Sequence, residues 1–124
     1  MTGIRVLVCG GRNFRDKAML YGRLNAMYAA RGVSALIHGG ARGADFLASG
    51  WAIANEVPSI AFPADWKRLG DAAGPIRNSQ MLREGKPDLV LAFPSDGPGT
   101  ANCIEQAMRY QIAVMPAPAE DSTA

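Results

Sequence analysis

Short apolar runs alternate along the chain with longer stretches in which apolar residues recur at helical spacing. Five runs have the length of β-strands, namely residues 4–9, 33–37, 58–62, 89–93 and 111–115. The run at 89–93 is apolar throughout, which is typical of a strand buried on both faces of a parallel sheet. Because strands alternate with helices, the pattern predicts an α/β fold, a Rossmann-like doubly wound sheet of about five mostly parallel strands in a single domain.

Four helices are predicted between and after these strands. Residues 14–31 carry an apolar stripe and are followed by Gly32, a residue type that commonly ends helices. Further helices are predicted over residues 46–53, over residues 76–83 and from Thr100 onward. Each predicted helix connects two predicted strands, as expected when all strands run in the same direction.

The composition is that of one globular domain. The chain has 124 residues, of which 48% are hydrophobic and 19% are charged, which is enough for one core and too short for two domains. We therefore expect residues 1–115 to form the domain and residues 116–124 to be a flexible C-terminal tail. No apolar run approaches the thickness of a bilayer and no secretory leader is visible, so we expect a cytoplasmic protein without a membrane partner.

Charge does not identify a partner. A net charge of +2, with scattered lysines and arginines, does not favour duplex nucleic acid. Cys9 and Cys103 lie in segments predicted to be buried, without the spacing of a metal site, and the single histidine cannot form a ligand pair. The sequence therefore predicts reduced cysteines, no metal and no cofactor, and it leaves open a homodimer or higher homo-oligomer.

Glycines follow three of the predicted strands, each time shortly before a predicted helix. They stand at residues 10–11, within residues 39–43 and within residues 97–99. Glycine lets backbone N–H groups approach an anion closely, and the unpaired amides of a first helical turn add positive potential. One such turn is often only a tight connection, but three of them favour a shared ligand at the carboxyl edge of the sheet. The spacing of Gly39, Gly40 and Gly43 matches neither the dinucleotide motif nor the Walker motif.

The turns after the second and fourth strands are expected to share one anion. Neighbouring parallel strands place their carboxyl-end turns side by side. With these two strands adjacent at the centre of the sheet, one anion site would be surrounded by Gly39, Gly40, Gly97 and Gly99.

Four side chains near these turns are candidates for ligand contact or for structural roles. Asp45 caps backbone amides or accepts a hydrogen bond from a ribose hydroxyl, and Arg77, predicted in the first turn of its helix, faces either an anion or solvent. Trp66 lies in residues 63–74, a predicted long polar loop of the lid type, where it offers an aromatic face to a base or anchors its own loop. His38 is interpreted as a hydrogen-bonded structural group.

Five segments taken together resemble one known family. They are Cys9-Gly10-Gly11-Arg12, His38-Gly39-Gly40-Ala41-Arg42-Gly43-Ala44-Asp45, Phe62-Pro63-Ala64-Asp65-Trp66, Ala73-Gly74-Pro75-Ile76-Arg77-Asn78 and Gly97-Pro98-Gly99-Thr100. Their joint order is similar to that of the YspA, cpYpsA-related family of the SLOG superfamily, over residues 4–115. Members are Rossmann-like and are inferred to bind nucleotides or nucleotide-derived ligands. The resemblance implies a nucleotide-type small molecule as partner, bound by Gly10, Gly11, Arg12, Gly39, Gly40, Ala41, Gly43, Asp45, Trp66, Arg77, Asn78, Gly97, Gly99 and Thr100.

The same superfamily contains the Lonely Guy phosphoribohydrolases, which cleave the N-glycosidic bond of cytokinin nucleoside monophosphates. Their pattern, Pro-Gly-Gly-any-Gly-Thr-any-any-Glu, places Gly97, Gly99 and Thr100 on a phosphate by position. Arg77 occupies a position similar to the active-site arginine of these enzymes, but Cys103 stands where the pattern has its catalytic glutamate. The resemblance therefore implies a phosphate and ribose pocket without the full catalytic pair.

Binding without catalysis, in a sensing or sequestering role, is the function that the sequence predicts. The alternative is an N-glycosidic phosphoribohydrolase acting on a nucleoside 5'-monophosphate, with Arg77 orienting the ligand and Asp45 or Asp96 replacing the missing glutamate. Single-stranded DNA binding, as in the related DprA proteins, is least favoured, because Trp66 is the only credible stacking residue.

Overall fold

Five parallel strands form the predicted sheet. The strands are β1 (Ile4–Cys9), β2 (Val33–His38), β3 (Ser59–Ala61), β4 (Leu89–Ala92) and β5 (Ala113–Met115). In the computed structural model, which describes residues 2–116, their order across the sheet is β3-β2-β1-β4-β5, and every neighbouring pair is parallel. The predicted fold class is confirmed. The predicted tail, residues 116–124, lies outside the described residues except for Pro116.

Helices cover both faces of the sheet, which makes the fold doubly wound. They are α1 (Lys17–Arg31), α2 (Ala44–Ala54), α3 (Trp66–Leu69), α4 (Ala73–Glu84) and α5 (Pro98–Arg109), and a 3₁₀ turn (Gly70–Ala72) joins α3 to α4. Side-chain alternation along β1 divides the core. Val6 and Val8 pack with α1 and α2, whereas Leu7 and Cys9 pack with α4 and α5. No helix among residues 2–116 is long and apolar enough to cross a membrane.

The first helix begins later than predicted. Its N-cap is Asp16, whose carboxylate accepts a hydrogen bond from the backbone N–H of Met19 at 3.0 Å, so α1 begins at Lys17 rather than at Phe14. Phe14 instead packs against Phe93, with ring centroids 5.4 Å apart. A capping carboxylate satisfies an N–H group of the first turn, and it therefore fixes the start of a helix more sharply than apolar periodicity does.

The prediction of a long loop over residues 63–74 is wrong. The carboxylate of Asp65 accepts a hydrogen bond from the backbone N–H of Arg68 at 3.2 Å, which caps α3. The Arg68 side chain returns to the same carboxylate at 2.9 Å. The polar residues that suggested a loop therefore cap and flank a short helix.

The fourth helix begins at Ala73, so the placement of Arg77 in its first turn is also wrong. Pro75 is the third residue of α4 and Arg77 the fifth. The first N–H groups of a helix have no intrahelical acceptor, so proline at the third position removes no helical hydrogen bond. The helix dipole at Arg77 is consequently weaker than the sequence argument assumed.

The expectation that the second and fourth strands are neighbours is wrong, because β1 lies between them. From β1 the chain proceeds to β2 and β3 on one side, and then returns to place β4 and β5 on the other side. The strand order therefore reverses between β1 and β4, and in open α/β sheets a ligand crevice opens at such a reversal. The turns that meet there are those after β1 and β4, rather than those after β2 and β4.

The turn before α2 requires glycine at position 43. Gly43 has φ +80°, and a Cβ there would collide with the carbonyl oxygen of Gly11. We predict that Gly43→Ala lowers the free energy of unfolding by about 2 kcal/mol or more, because alanine tolerates neither the backbone angle nor the contact.

Gly22→Ala is the matched control, because a Cβ at this position in α1 meets no atom within 4 Å. It is expected to raise the free energy of unfolding by about 0.5–1 kcal/mol through helix propensity. Urea denaturation of the two variants measures both effects. Equal stability of wild type and Gly43→Ala would show that the close approach is not needed.

Candidate functional site

A cavity of about 1510 Å³ opens at the point where the strand order reverses. Its walls are residues 8–16 at the end of β1, residues 94–103 around the start of α5, and parts of α2 and α4. The site therefore lies at the carboxyl edge of the sheet, where parallel α/β folds bind ligands.

Most of the residues predicted to bind the ligand line this cavity, together with Asp96. They are Gly10, Gly11, Arg12, Ala41, Asp45, Trp66, Arg77, Asn78, Gly97, Gly99 and Thr100. Three predicted glycines lie elsewhere. Gly39 is buried beneath the Arg77 guanidinium, Gly40 is exposed near Pro63, and Gly43 packs behind Gly11. The four glycines expected around one anion are thus divided, with Gly97 and Gly99 at the cavity and Gly39 and Gly40 outside it.

The first turn of α5 is open toward the cavity. Its N-cap is Gly97, which has no side chain to cap the helix, and the next residue is Pro98, which has no N–H. A Cβ on Gly99 would meet no atom within 4 Å. Among the described residues, no acceptor pairs with the backbone N–H groups of Gly99 and Thr100. This turn therefore offers unpaired donors and free space in one place.

Arg77 reaches from α4 to the end of β2. Its Nη1 donates to the carbonyl of Gly39 at 2.7 Å, and its Nε donates to Oδ1 of Asn78 at 2.9 Å. A Cβ on Gly39 would collide with the guanidinium. The glycine at position 39 therefore leaves the space that the guanidinium occupies.

Buried amides connect α4 to the first turn of α5. Asn78, which is 2% exposed, donates from Nδ2 to the Gly99 carbonyl and to Oδ1 of Asn102, both at 3.1 Å. Gln106 donates to the same Oδ1 at 2.8 Å and to the Pro75 carbonyl at 3.0 Å. The sequence reasoning missed Asn102 and Gln106, although two amides four residues apart on an otherwise apolar helix face were a detectable signal. Asn78 thus holds the open turn in place.

Asp45 is a buried carboxylate at the cavity wall. It is 7% exposed, and its Oδ2 accepts hydrogen bonds from the N–H groups of Gly39 at 3.1 Å and Ala41 at 3.2 Å. Burial raises its pKa from 3.8 to about 6, against the opposing effects of those two N–H groups and of Arg77. The predicted capping role is thus present, in the turn before α2.

His38 has the structural role that its position suggested. Its Nδ1 accepts a hydrogen bond from the Gly40 N–H at 3.0 Å. Burial, and then the charge of Arg77, lower its pKa, so the ring is neutral at pH 7. Among residues 2–116, no group of three or more His, Cys, Asp and Glu side chains is arranged to hold a metal ion.

Cys103 occupies the floor of the cavity as a buried thiol. It is 1% exposed and packs with Cys9 in the core cluster under α4 and α5, and both are free thiols. Hydrogen bonding to Cys103 and burial raise the pKa of Cys9 well above its ordinary value. Glu105 borders the same cavity, but its exposed carboxylate pairs with Arg109 at 2.9 Å. The position that would carry a catalytic carboxylate therefore holds a buried thiol.

Trp66 both packs within its own segment and presents a face to the cavity. A Cβ on Gly74 would lie 3.2 Å from the Trp66 ring, so the indole lies directly over α4. The side chain is still 46% exposed. The Arg12 guanidinium lies 5.3 Å from the ring centroid, in cation–π geometry. The two roles considered from the sequence are therefore compatible.

The sequence profile of the YspA, cpYpsA-related SLOG family matches residues 4–69, which is more than half of the chain. The chain belongs to this family. A relative in the Mycobacterium phage D29, the Gene 61 protein, is 35% identical over 119 residues, covering 90% of this chain and 94% of that protein. The predicted family resemblance is confirmed, and three of the five segments that carried it lie within the matched residues 4–69.

The X-ray structure of DNA processing protein A (DprA) from Streptococcus pneumoniae has the same fold as this SLOG-family domain. The TM-score is 0.65 at 20% sequence identity, over 90% of this chain. The match covers 49% of the DprA chain, so the domain spans about half the length of that protein. At this identity the likeness concerns the fold alone.

The raised pKa of Asp45 predicts how stability changes with pH. A carboxyl group that is more basic in the folded state stabilises the protein when protonated, so wild type should lose stability as the pH rises from about 4 to about 6. Asp45→Asn keeps an acceptor for the two N–H groups without the charge. We predict that the free energy of unfolding of Asp45→Asn exceeds that of wild type by about 1–3 kcal/mol near pH 7.5 and equals it near pH 4.

Urea denaturation across this pH range measures the difference. Glu84→Gln, which removes an exposed carboxylate outside the cavity, is the matched control and should show no such pH dependence. A constant difference between Asp45→Asn and wild type at all pH values would mean that the carboxylate is not destabilised by burial.

Proposed function

We propose that this domain binds a nucleotide or a nucleotide-derived ligand without cleaving it, in a sensing or sequestering role. The observation that carries the proposal is the first turn of α5, which has no side-chain cap and opens onto the cavity that also holds Arg77. Membership in the SLOG family supports the same class of ligand, because its members are inferred to bind nucleotides.

The phosphate is proposed to lie at the first turn of α5. Unpaired N–H groups and the positive end of the helix dipole attract an anion there. Gly99 leaves the space for it, since a Cβ at this position would meet no protein atom within 4 Å. Arg77 and, farther out, Arg12 and Arg42 line the same cavity and add full positive charges.

The base is proposed to stack on Trp66. The indole is fixed from behind by α4 and remains 46% exposed, which is the arrangement of a stacking platform. Stacking of a base on an aromatic side chain contributes about 1–3 kcal/mol. The Arg12 guanidinium now occupies that region, and a bound base would take its place on the ring.

An N-glycosidic hydrolase acting on a nucleoside 5'-monophosphate is the second candidate, and Asp45 is the observation that favours it. Its pKa of about 6 suits a group that exchanges protons near neutral pH. Asp96, the other candidate carboxylate, is exposed at the rim. Cys103 counts against the hydrolase, because a buried thiol does not activate water as a carboxylate does.

Single-stranded DNA binding has less support. A groove for a single strand uses several stacking side chains. Among the described residues that line the cavity, the aromatic ones are Phe14 and Trp66, and Phe14 packs against Phe93. The likeness to DprA concerns the fold and does not add to this candidate.

Replacing Gly99 separates ligand binding from folding. Gly99→Asp places a carboxylate at the start of α5, where it is expected to leave stability unchanged or raise it by about 0.3–1 kcal/mol. The same charge repels a phosphate, so affinity for AMP should fall at least about tenfold. Calorimetric titration with AMP and thermal unfolding measure the two effects.

Gly99→Asn is the matched control, because it adds a side chain of equal size without the charge. Its loss of AMP affinity should be clearly smaller than that of Gly99→Asp. If wild type and both variants bind AMP with the same affinity, the phosphate does not bind at this turn.

The assay of adenine release decides between binding and hydrolysis. Wild type is expected to release no adenine from AMP above the rate without enzyme, because Cys103 replaces the carboxylate that would activate water. Chromatography of the reaction mixture measures the free base. Turnover that is abolished in Asp45→Asn or in an Asp96→Asn variant would establish the hydrolase instead.

A further inference from the structure

A buried acceptor and a half-buried donor lie close to the Cβ position of Gly39 at the cavity wall. Oδ2 of Asp45 lies 3.1 Å from the point that a Cβ on Gly39 would occupy, and the Arg77 guanidinium covers the same point. Both side chains line the cavity, whereas Gly39 does not. Because residue 39 is glycine, the carboxylate of Asp45 and the guanidinium of Arg77 lie close together at the cavity surface.

Each of these groups keeps unused hydrogen-bonding capacity. Both N–H groups that bind Asp45 donate to Oδ2, and within residues 2–116 nothing donates to Oδ1. Arg77 uses Nη1 and Nε, and within the same residues nothing accepts from Nη2. The ion pairs of the described region are formed elsewhere, on α3 and α5, so Asp45 and Arg77 are close without pairing directly.

The unused atoms restrict the chemistry of a group that could lie between them. An anion would be repelled by Asp45, and a cation would be repelled by Arg77. A hydroxyl group is neutral and both donates and accepts. It can donate to Oδ1 of Asp45 and accept from Nη2 of Arg77. The bond to Oδ1 would reduce the free-energy cost of burying the Asp45 carboxylate, which is 7% exposed.

We propose that Asp45 and Arg77 form a site for a sugar hydroxyl of the ligand, so that the domain selects a ribonucleotide over a nucleotide that lacks the ring hydroxyls. The inference rests on the proposed function and specifies the sugar. The phosphate at α5 and the hydroxyl site are connected through the protein, because Arg77 binds Asn78 and Asn78 binds the Gly99 carbonyl. The proposal places the ribose between the first turn of α5 and Gly39.

The test compares AMP with 2',3'-dideoxy-AMP by calorimetric titration of the full chain. Near pH 7.5 we expect AMP to bind about tenfold more tightly, the effect of one hydrogen bond to a charged group. Asp45→Asn is expected to reduce this preference to about threefold or less, since a neutral amide replaces the carboxylate. Glu84→Gln, outside the cavity, should keep the wild-type preference.

The pH dependence provides a second readout that a merely structural role of Asp45 would not produce. The preference for AMP should decline between about pH 7.5 and about pH 5 in wild type and stay constant in Asp45→Asn, because the pKa of Asp45 is about 6. Both nucleotides carry the same phosphate, so the titration of the phosphate cancels in the ratio of the two affinities. Arg77 and Cys9 interact electrostatically with Asp45, and neither changes charge in this range. His38, which faces Arg77, is present in both proteins.

The outcomes separate the two proposals. Equal affinities of wild type for AMP and 2',3'-dideoxy-AMP would overturn the hydroxyl site and leave the proposed function intact. A preference for AMP that persists unchanged in Asp45→Asn would also overturn it. Failure of both nucleotides to bind would reject the proposed function, and the hydroxyl site with it.

Discussion

The contact between Arg77 and Gly39 is the constraint on which the site depends. The guanidinium donates to the carbonyl of Gly39 at 2.7 Å and occupies the space that a Cβ on that residue would need. With Arg77 held there, its neighbour Asn78 is directed toward α5 and binds the Gly99 carbonyl. Gly39 at the end of β2 is therefore connected, through Arg77 and Asn78, to the first turn of α5. The glycine motif and the turn act together although their strands are not neighbours.

The site keeps polar groups that folding alone disfavours. Asp45 is almost fully buried with one oxygen unpaired by the described residues, and its pKa is raised as a consequence. Natural domains accept such local costs mainly where a ligand or a reaction compensates them. The core clusters on the two faces of the sheet supply the stability that permits it. Cys103, in contrast, continues the apolar core into the cavity floor, which favours binding over hydrolysis.

Relatives place these features in a family without assigning the ligand. The SLOG-family match covers the glycine turns after β1 and β2, the phage relative matches 90% of the chain, and the DprA structure shares the fold. The cytoplasmic location, the homo-oligomeric state and the set of ligand-binding residues stay predictions. Of that set, Gly39, Gly40 and Gly43 do not line the cavity.

The sequence by itself determined the five strands, the parallel α/β class and the open glycine turn at Gly97 and Gly99, because burial periodicity and backbone freedom are local properties. It placed the start of α1 too early and took the capped short helix α3 for a loop, since caps depend on single hydrogen bonds that periodicity does not register. It also placed the start of α4 too late. Only the tertiary structure decided that β1 separates β2 from β4. It also decided that Arg77 lies on Gly39, a contact between residues 38 positions apart, because strand order and side-chain approach follow from how the two faces pack.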